Sequence, residues 1–197
     1  MMEALLPLAL FAFVSSITPG PNNIMLTSSG VIYGFVRSIP HILGVTFGFG
    51  ILLALSAAGI GSLILLVPSI QVILKTFGSG YLLYLAWQLR SLAIRQDATA
   101  STRPMSFTGA TLFQFVNPKA WVMAISGSSA FLPPMPSVWM SIAIFCLVFC
   151  AVNLPCVSLW AGAGAALRRY LAEPRWQRRF CVVMVVLTTY SAIAIWL

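Results

Sequence analysis

Six stretches of this chain are long, apolar and almost free of charge, and they decide its fold class before any motif is read. Crossing about 30 Å of hydrocarbon takes about 20 helical residues at about 1.5 Å each. Residues 4–33, 42–67, 70–89, 107–132, 138–167 and 180–197 approach or exceed that length. The chain is 60% hydrophobic and 7% charged, with a mean hydropathy of +0.98, whereas a soluble domain carries roughly 25% charged residues. The reading is an all-α, polytopic membrane protein of six transmembrane helices.

The net charge of +8 does not point to nucleic acid, because a binder of nucleic acid gathers its basic residues on one face or helix. Here they lie in alternate gaps between the apolar runs. The first gap holds Arg37, the third Arg90, Arg95 and Arg103, and the fifth Arg168, Arg169, Arg175, Arg178 and Arg179. The second gap, around Pro68, and the fourth, Pro133-Pro134-Met135-Pro136, hold none. By the positive-inside rule the odd gaps are cytoplasmic and both termini face outward. Trp139 and Trp196 at outer ends, with Tyr33 and Trp87 at inner ends, fit interfacial aromatic belts. The four cysteines, Cys146, Cys150, Cys156 and Cys181, fall in apolar runs with neither disulfide nor zinc spacing, and read as small packing residues.

The one long polar stretch, 90–106, is expected to be a cytoplasmic connector between a first half, 1–89, and a second half, 107–197. Each half has three helices, so halves of one fold would be inverted in the membrane, and a break in one should be matched in the other. Pro19-Gly20-Pro21-Asn22-Asn23 interrupts the first run, since proline lacks an amide hydrogen and clashes with the preceding turn. Phe115-Val116-Asn117-Pro118-Lys119-Ala120-Trp121 interrupts the fourth at a similar depth. Broken helices in corresponding positions point to a transporter's binding site. Glycine and alanine at helical spacing elsewhere (Gly30 and Gly34, Gly44 and Gly48) let helices approach closely.

Each break has chemistry to offer. A helix restarting after Pro21 presents free amides near Asn22 and Asn23, suited to an anion. The half-helix ending near Ser16 to Thr18 is expected to present free carbonyls for an ammonium group, so that together they would hold a zwitterion. Asn117 and Pro118 supply a second set, to which Lys119 adds a full charge. Lys119 lies about twelve residues from either end of its run, too deep for its stem to reach water easily. Lys75, about two turns from an outer end, can snorkel. His41, the single histidine, suits capping or interfacial hydrogen bonding at the inner start of the second helix, or a proton relay, a role for which Lys119 is the other candidate. Asn153 with Pro155 reads equally as a kink or as a third wall of the cavity. Trp121, Trp160 and Tyr84 are candidate lining residues or buried packing.

Glu3, Asp97 and Glu173 all fall near ends or in loops, so no carboxylate is expected inside the bilayer. No metal site, cofactor motif or nucleophile and base pair appears, and no enzymatic activity is expected. The partners expected are a small-molecule substrate and the lipid bilayer; a homo-oligomer is compatible with the chain.

Thr18-Pro-Gly-Pro-Asn-Asn23, Tyr84-Leu-Ala-Trp87 and Gln114-Phe-Val-Asn-Pro-Lys-Ala-Trp121 resemble the LysE/RhtB family of amino-acid exporters over nearly the whole chain. Asn22-Asn23 and Gln114-Phe-Val-Asn117 are most similar to its cysteine/O-acetylserine efflux group. The resemblance implies a six-helix, proton-driven exporter of small amino acids in the bacterial inner membrane, which the zwitterion reading of the breaks narrows to neutral ones, and it marks Pro19, Gly20, Pro21, Asn22, Asn117, Pro118 and Lys119. Residues 44–50 lack the acidic residue that many members carry in the second helix. An uncoupled facilitator of the same fold is the alternative. A membrane thiol redox protein is a remoter one, since neither break contains cysteine.

Overall fold

The computed structural model of the protein describes residues 2–61, 66–94, 104–168, 173–194 and 196. Among them are eight helices and no strand: α1 (Met2–Ile17), α2 (Pro21–Tyr33), α3 (Phe35–Ala57), α4 (Pro68–Ile94), α5 (Phe107–Val116), α6 (Pro118–Phe131), α7 (Val138–Leu167) and α8 (Pro174–Ala194). Both expected breaks are present. The axis turns by 57° between α1 and α2. Asn117 alone separates α5 from α6. Proline at the first position of α2 and α6 starts each helix where its missing amide hydrogen is no loss.

Several ends differ from the sequence expectation. The second run was expected at 42–67, yet α3 begins at Phe35 and ends at Ala57. Glycines set both limits: Gly34 and Gly59 have φ of +81° and +99°, values that favour glycine and interrupt a right-handed helix. Pro40 is accommodated inside α3, as Pro155 is inside α7. At the other side of the first half, α4 continues to Ile94, so the first residues of the expected connector are helical. Ser106 caps α5 by accepting from the Gly109 amide at 3.1 Å. Arg95, Arg103 and Arg169 lie outside the described residues.

By length and composition α3 and α7 can each cross a membrane, and the bent α1–α2 pair is a third candidate span. The surface agrees with a lipid setting. Strongly exposed positions include Leu43, Phe47, Val122, Leu147 and Val186, whereas Asn23, Ser38, His41, Gln114, Asn117 and Asn153 are buried. Apolar side chains outside and polar ones inside suit a protein whose solvent is hydrocarbon.

Helix α7 lies against α1, α2 and α3; α3 also receives α5 and α6; α4 and α8 form a pair at one side. Phe149 of α7 makes edge-to-face contacts with Phe11 of α1, Phe49 of α3 and Phe145 of its own helix, and so ties three helices into one core. Close crossings depend on glycine. A Cβ on Gly30 would lie 2.0 Å from the Ala161 carbonyl, and one on Gly164 would lie 2.2 Å from the Thr27 carbonyl, so α2 and α7 meet backbone to backbone. Gly44 and Gly48 do the same for α3 against Phe107 and Thr111 of α5.

Trp196 follows α8 and donates from Nε1 to Ser79 Oγ on α4 at 2.9 Å, with Lys75 Nζ 5.9 Å from its ring centroid. This places Lys75 and Trp196 at the same end of the α4–α8 pair, as expected of an interfacial tryptophan and a snorkelling lysine.

Candidate functional site

The two breaks face one another across a cavity of about 30 Å³. Its polar lining comprises Ser15, Ser16, Asn22 and Asn23 of the first break, Asn117 and Lys119 of the second, and Asn153 of α7; Gly20, Phe49, Ala120, Met123 and Val157 complete it. Of the residues singled out in the sequence, Gly20, Asn22, Asn23, Asn117, Lys119 and Asn153 are therefore brought together. Pro19, Pro21 and Pro118 shape the breaks without lining the cavity. A cavity of this size holds a water molecule or two.

The first break is closed by side chains. The carbonyls ending α1 are not free, contrary to expectation: each is taken by a donor that the sequence could not place there. Asn23 Nδ2 donates to the Ser16 and Thr18 carbonyls at 2.9 and 2.8 Å. Trp160 Nε1 donates to the Ile17 carbonyl at 3.2 Å. Lys119 Nζ, from the other half, donates to the Thr18 carbonyl at 2.8 Å, to Thr18 Oγ1 at 2.9 Å and to the Pro19 carbonyl at 3.2 Å. An ammonium at the negative end of a helix is favourably placed, and all three of its N–H groups are used. This contact explains Gly20. Its backbone is extended, with φ −177° and ψ 178°, which any residue adopts. A Cβ there, however, would lie 2.7 Å from Lys119 Cδ and 3.0 Å from Nζ.

Other bonds also cross between the halves. Asn22 Nδ2 donates to Gln114 Oε1 at 2.8 Å and Gln114 Nε2 donates to Asn22 Oδ1 at 3.2 Å, a reciprocal amide pair; Gln114 also donates to the Ala110 carbonyl at 2.9 Å. Asn153 Nδ2 donates to Ser16 Oγ at 3.0 Å and its Oδ1 accepts from Thr46 Oγ1 at 3.4 Å.

The second break differs. The Asn117 carbonyl accepts the Ala120 and Trp121 amides, and Trp121 Nε1 donates to the Phe115 carbonyl at 2.8 Å. The Asn117 side chain, 2% exposed, does not cap α6, and its Oδ1 has no partner among the described residues. Helix α2 likewise has no side-chain cap on its first-turn amides. The cavity thus has unspent hydrogen-bonding capacity at α2's start and at Asn117, and very little elsewhere.

Three expectations change. His41 is not at a helix start: with α3 beginning at Phe35 it sits in the second turn, 2% exposed, and both ring nitrogens are unpartnered among the described residues. It does not line the cavity. Trp121 and Trp160 tie the backbone at the breaks and Tyr84 is largely exposed, so none of the three lines the cavity either. Gln114 and the Ser15-Ser16 pair were missed as site residues. A glutamine three residues before Asn117 in an apolar run was the available signal.

A sequence profile described as LysE type translocator matches residues 13–195, a span that takes in both breaks and every residue lining the cavity. The chain belongs to the LysE family. This is a family of translocators, not of enzymes. Among LysE-family relatives, a cysteine/O-acetylserine efflux protein of Escherichia coli O157:H7 is 28% identical over 185 residues, covering 94% of this chain and 93% of the relative. Proteins of the same name from Escherichia coli strain K12 and Shigella flexneri serotype 5b are 27% identical with the same coverage. No solved structure matches the chain.

Proposed function

We propose that this LysE-family protein exports small neutral amino acids from the cytoplasm, of the kind named in its relatives, cysteine and O-acetylserine. The observation that carries the reading is the cavity itself: two helix breaks meet there, and it has donors at the start of α2, an unpartnered side-chain oxygen at Asn117 and, among the described residues, no carboxylate in its lining. A substrate carboxylate would sit on the Asn22 and Asn23 amides, with Asn117 recognising the remaining polar groups. The sequence-expected site residues Pro19, Gly20, Pro21, Asn22, Asn23, Asn117, Pro118, Lys119 and Asn153 act together in this reading.

The same proposal includes six spans in two inverted halves, with both termini outside the inner membrane. The helix contacts support it: inverting the halves exchanges α3 with α7 and α4 with α8, and both of these pairs are in contact; α1 and α2 lean on α7 as α5 and α6 lean on α3. At 27 residues α4 extends about 40 Å, enough to cross. Transport proceeds by alternating access, driven by the proton gradient.

Counterflow of labelled cysteine and O-acetylserine in liposomes containing the purified protein, with and without an imposed pH gradient, tests the reading. Gradient-dependent accumulation is expected. Exchange indifferent to the gradient would favour a facilitator of the same fold, a second reading that rests on the lack of a carboxylate around the cavity among the described residues. If folded protein exchanged no amino acid, the substrate class would be wrong.

A further inference from the structure

Lys119 makes an unusual use of its charge. Its ammonium is bound by three neutral oxygens at the end of α1 and by no carboxylate among the described residues. A substrate amino acid carries the same group, an ammonium, and those oxygens are what such a group would seek. Resting on the export reading, we propose that Lys119 is the proton-coupling group of the transporter. In the empty carrier its ammonium stands where the substrate's ammonium sits in the loaded one.

The exchange balances. Facing the cytoplasm, Lys119 gives one proton to water, its neutral amine leaves the carbonyls of Thr18 and Pro19, and the substrate's ammonium takes them. Facing outward, Lys119 takes one proton from the more acidic side, its ammonium returns to the same carbonyls, and the substrate is expelled. One proton enters for each zwitterion that leaves, so the cycle moves one positive charge. Lysine suits this role because its compact amine can lose a proton, whereas a guanidinium cannot. Gly20 leaves the room in which the stem moves.

Among the described residues, no other titratable group competes at the cavity. Of the elements packed around α6, α1 carries only Glu3, about 20 Å along the axis from Ile17. Helix α3 carries Arg37 and His41, the latter about two turns from Phe49, the one α3 residue in the lining; α4 carries Lys75, Tyr81, Tyr84 and Arg90; α5 carries none. Tyr33 of α2 and Cys146, Cys150 and Cys156 of α7 are likewise absent from the lining, where Lys119 is the single titratable residue.

The test uses purified protein in liposomes with labelled O-acetylserine as probe. With the lumen one pH unit more acidic than the bath and the potential clamped at zero, the wild type is expected to accumulate the probe toward about tenfold, the limit for one proton per substrate. Counterflow at equal pH on both sides should slow as that pH is lowered, because protonated Lys119 excludes the probe. Lys119→Met should weaken counterflow several-fold, make it independent of pH and abolish gradient-driven accumulation. Lys119→Arg, whose charge is permanent, should abolish both modes.

Wild-type counterflow that ignores pH would overturn the proposal without recourse to any variant. Accumulation that survives in Lys119→Met would overturn it while leaving the export reading intact. Absence of counterflow in folded wild-type protein would remove the export reading, and the proposal with it.

Discussion

The two helix breaks are alike in sequence position and opposite in how they are satisfied. At the first, three residues separate α1 from α2, and four consecutive carbonyls, Ser16 to Pro19, are bound by Asn23, Trp160 and Lys119. At the second, one residue separates α5 from α6, and the side chain of that residue, Asn117, is buried with an unpartnered oxygen. Satisfied polar groups stabilise a fold; an unsatisfied one costs stability and persists where a ligand uses it. The carbonyls of the first break are thus occupied by protein donors, whereas the second break keeps an unused acceptor.

That contrast can be broken by substitution. The largest effect is expected from Gly20→Val, which drives a branched side chain into the Lys119 stem and should lower the stability of the detergent-solubilised protein by about 3 kcal/mol, read as a fall in its unfolding temperature. Next, Asn23→Ala removes two hydrogen bonds from the end of α1, about 2 kcal/mol in all, and should lower the unfolding temperature of the detergent-solubilised protein by about 4–8 °C. Asn117→Ala should show the opposite signature, a loss of about tenfold in counterflow with stability within about 0.5 kcal/mol of wild type, because no protein hydrogen bond is lost. Equal destabilisation by the two alanine variants would erase the distinction between the breaks. The smallest effect belongs to Trp196→Phe, distant from both: it gives up the bond to Ser79 and weakens the contact with Lys75, lowering stability by about 1 kcal/mol and leaving counterflow unchanged.

Much of this was legible in the chain. Proline positions fix where a helix cannot continue, so Pro19, Pro21 and Pro118 located both breaks, and the expected 138–167 span coincides with α7. Asn153, which the sequence leaves equally open as a kink or a cavity wall, lines the cavity. What the chain could not reveal was register between its halves. Nothing local to Lys119 says that its ammonium reaches back to Thr18, 101 residues earlier, so the carbonyls there were expected to be free. His41 was misplaced for a local reason: Gly34 ends one helix and lets the next begin at Phe35, which carries His41 a turn further inside than hydropathy alone suggested.

The backbone-to-backbone crossings at Gly30 and Gly164 bear on how such a protein moves. Contacts this close leave α2 no room to slide or roll on α7, and Gly44 and Gly48 hold α3 to α5 in the same way. Each of these tightly packed pairs takes one helix from either half of the chain. The tightly joined units of this fold are therefore not the segments that are contiguous in sequence, and neither half made alone would contain a complete one.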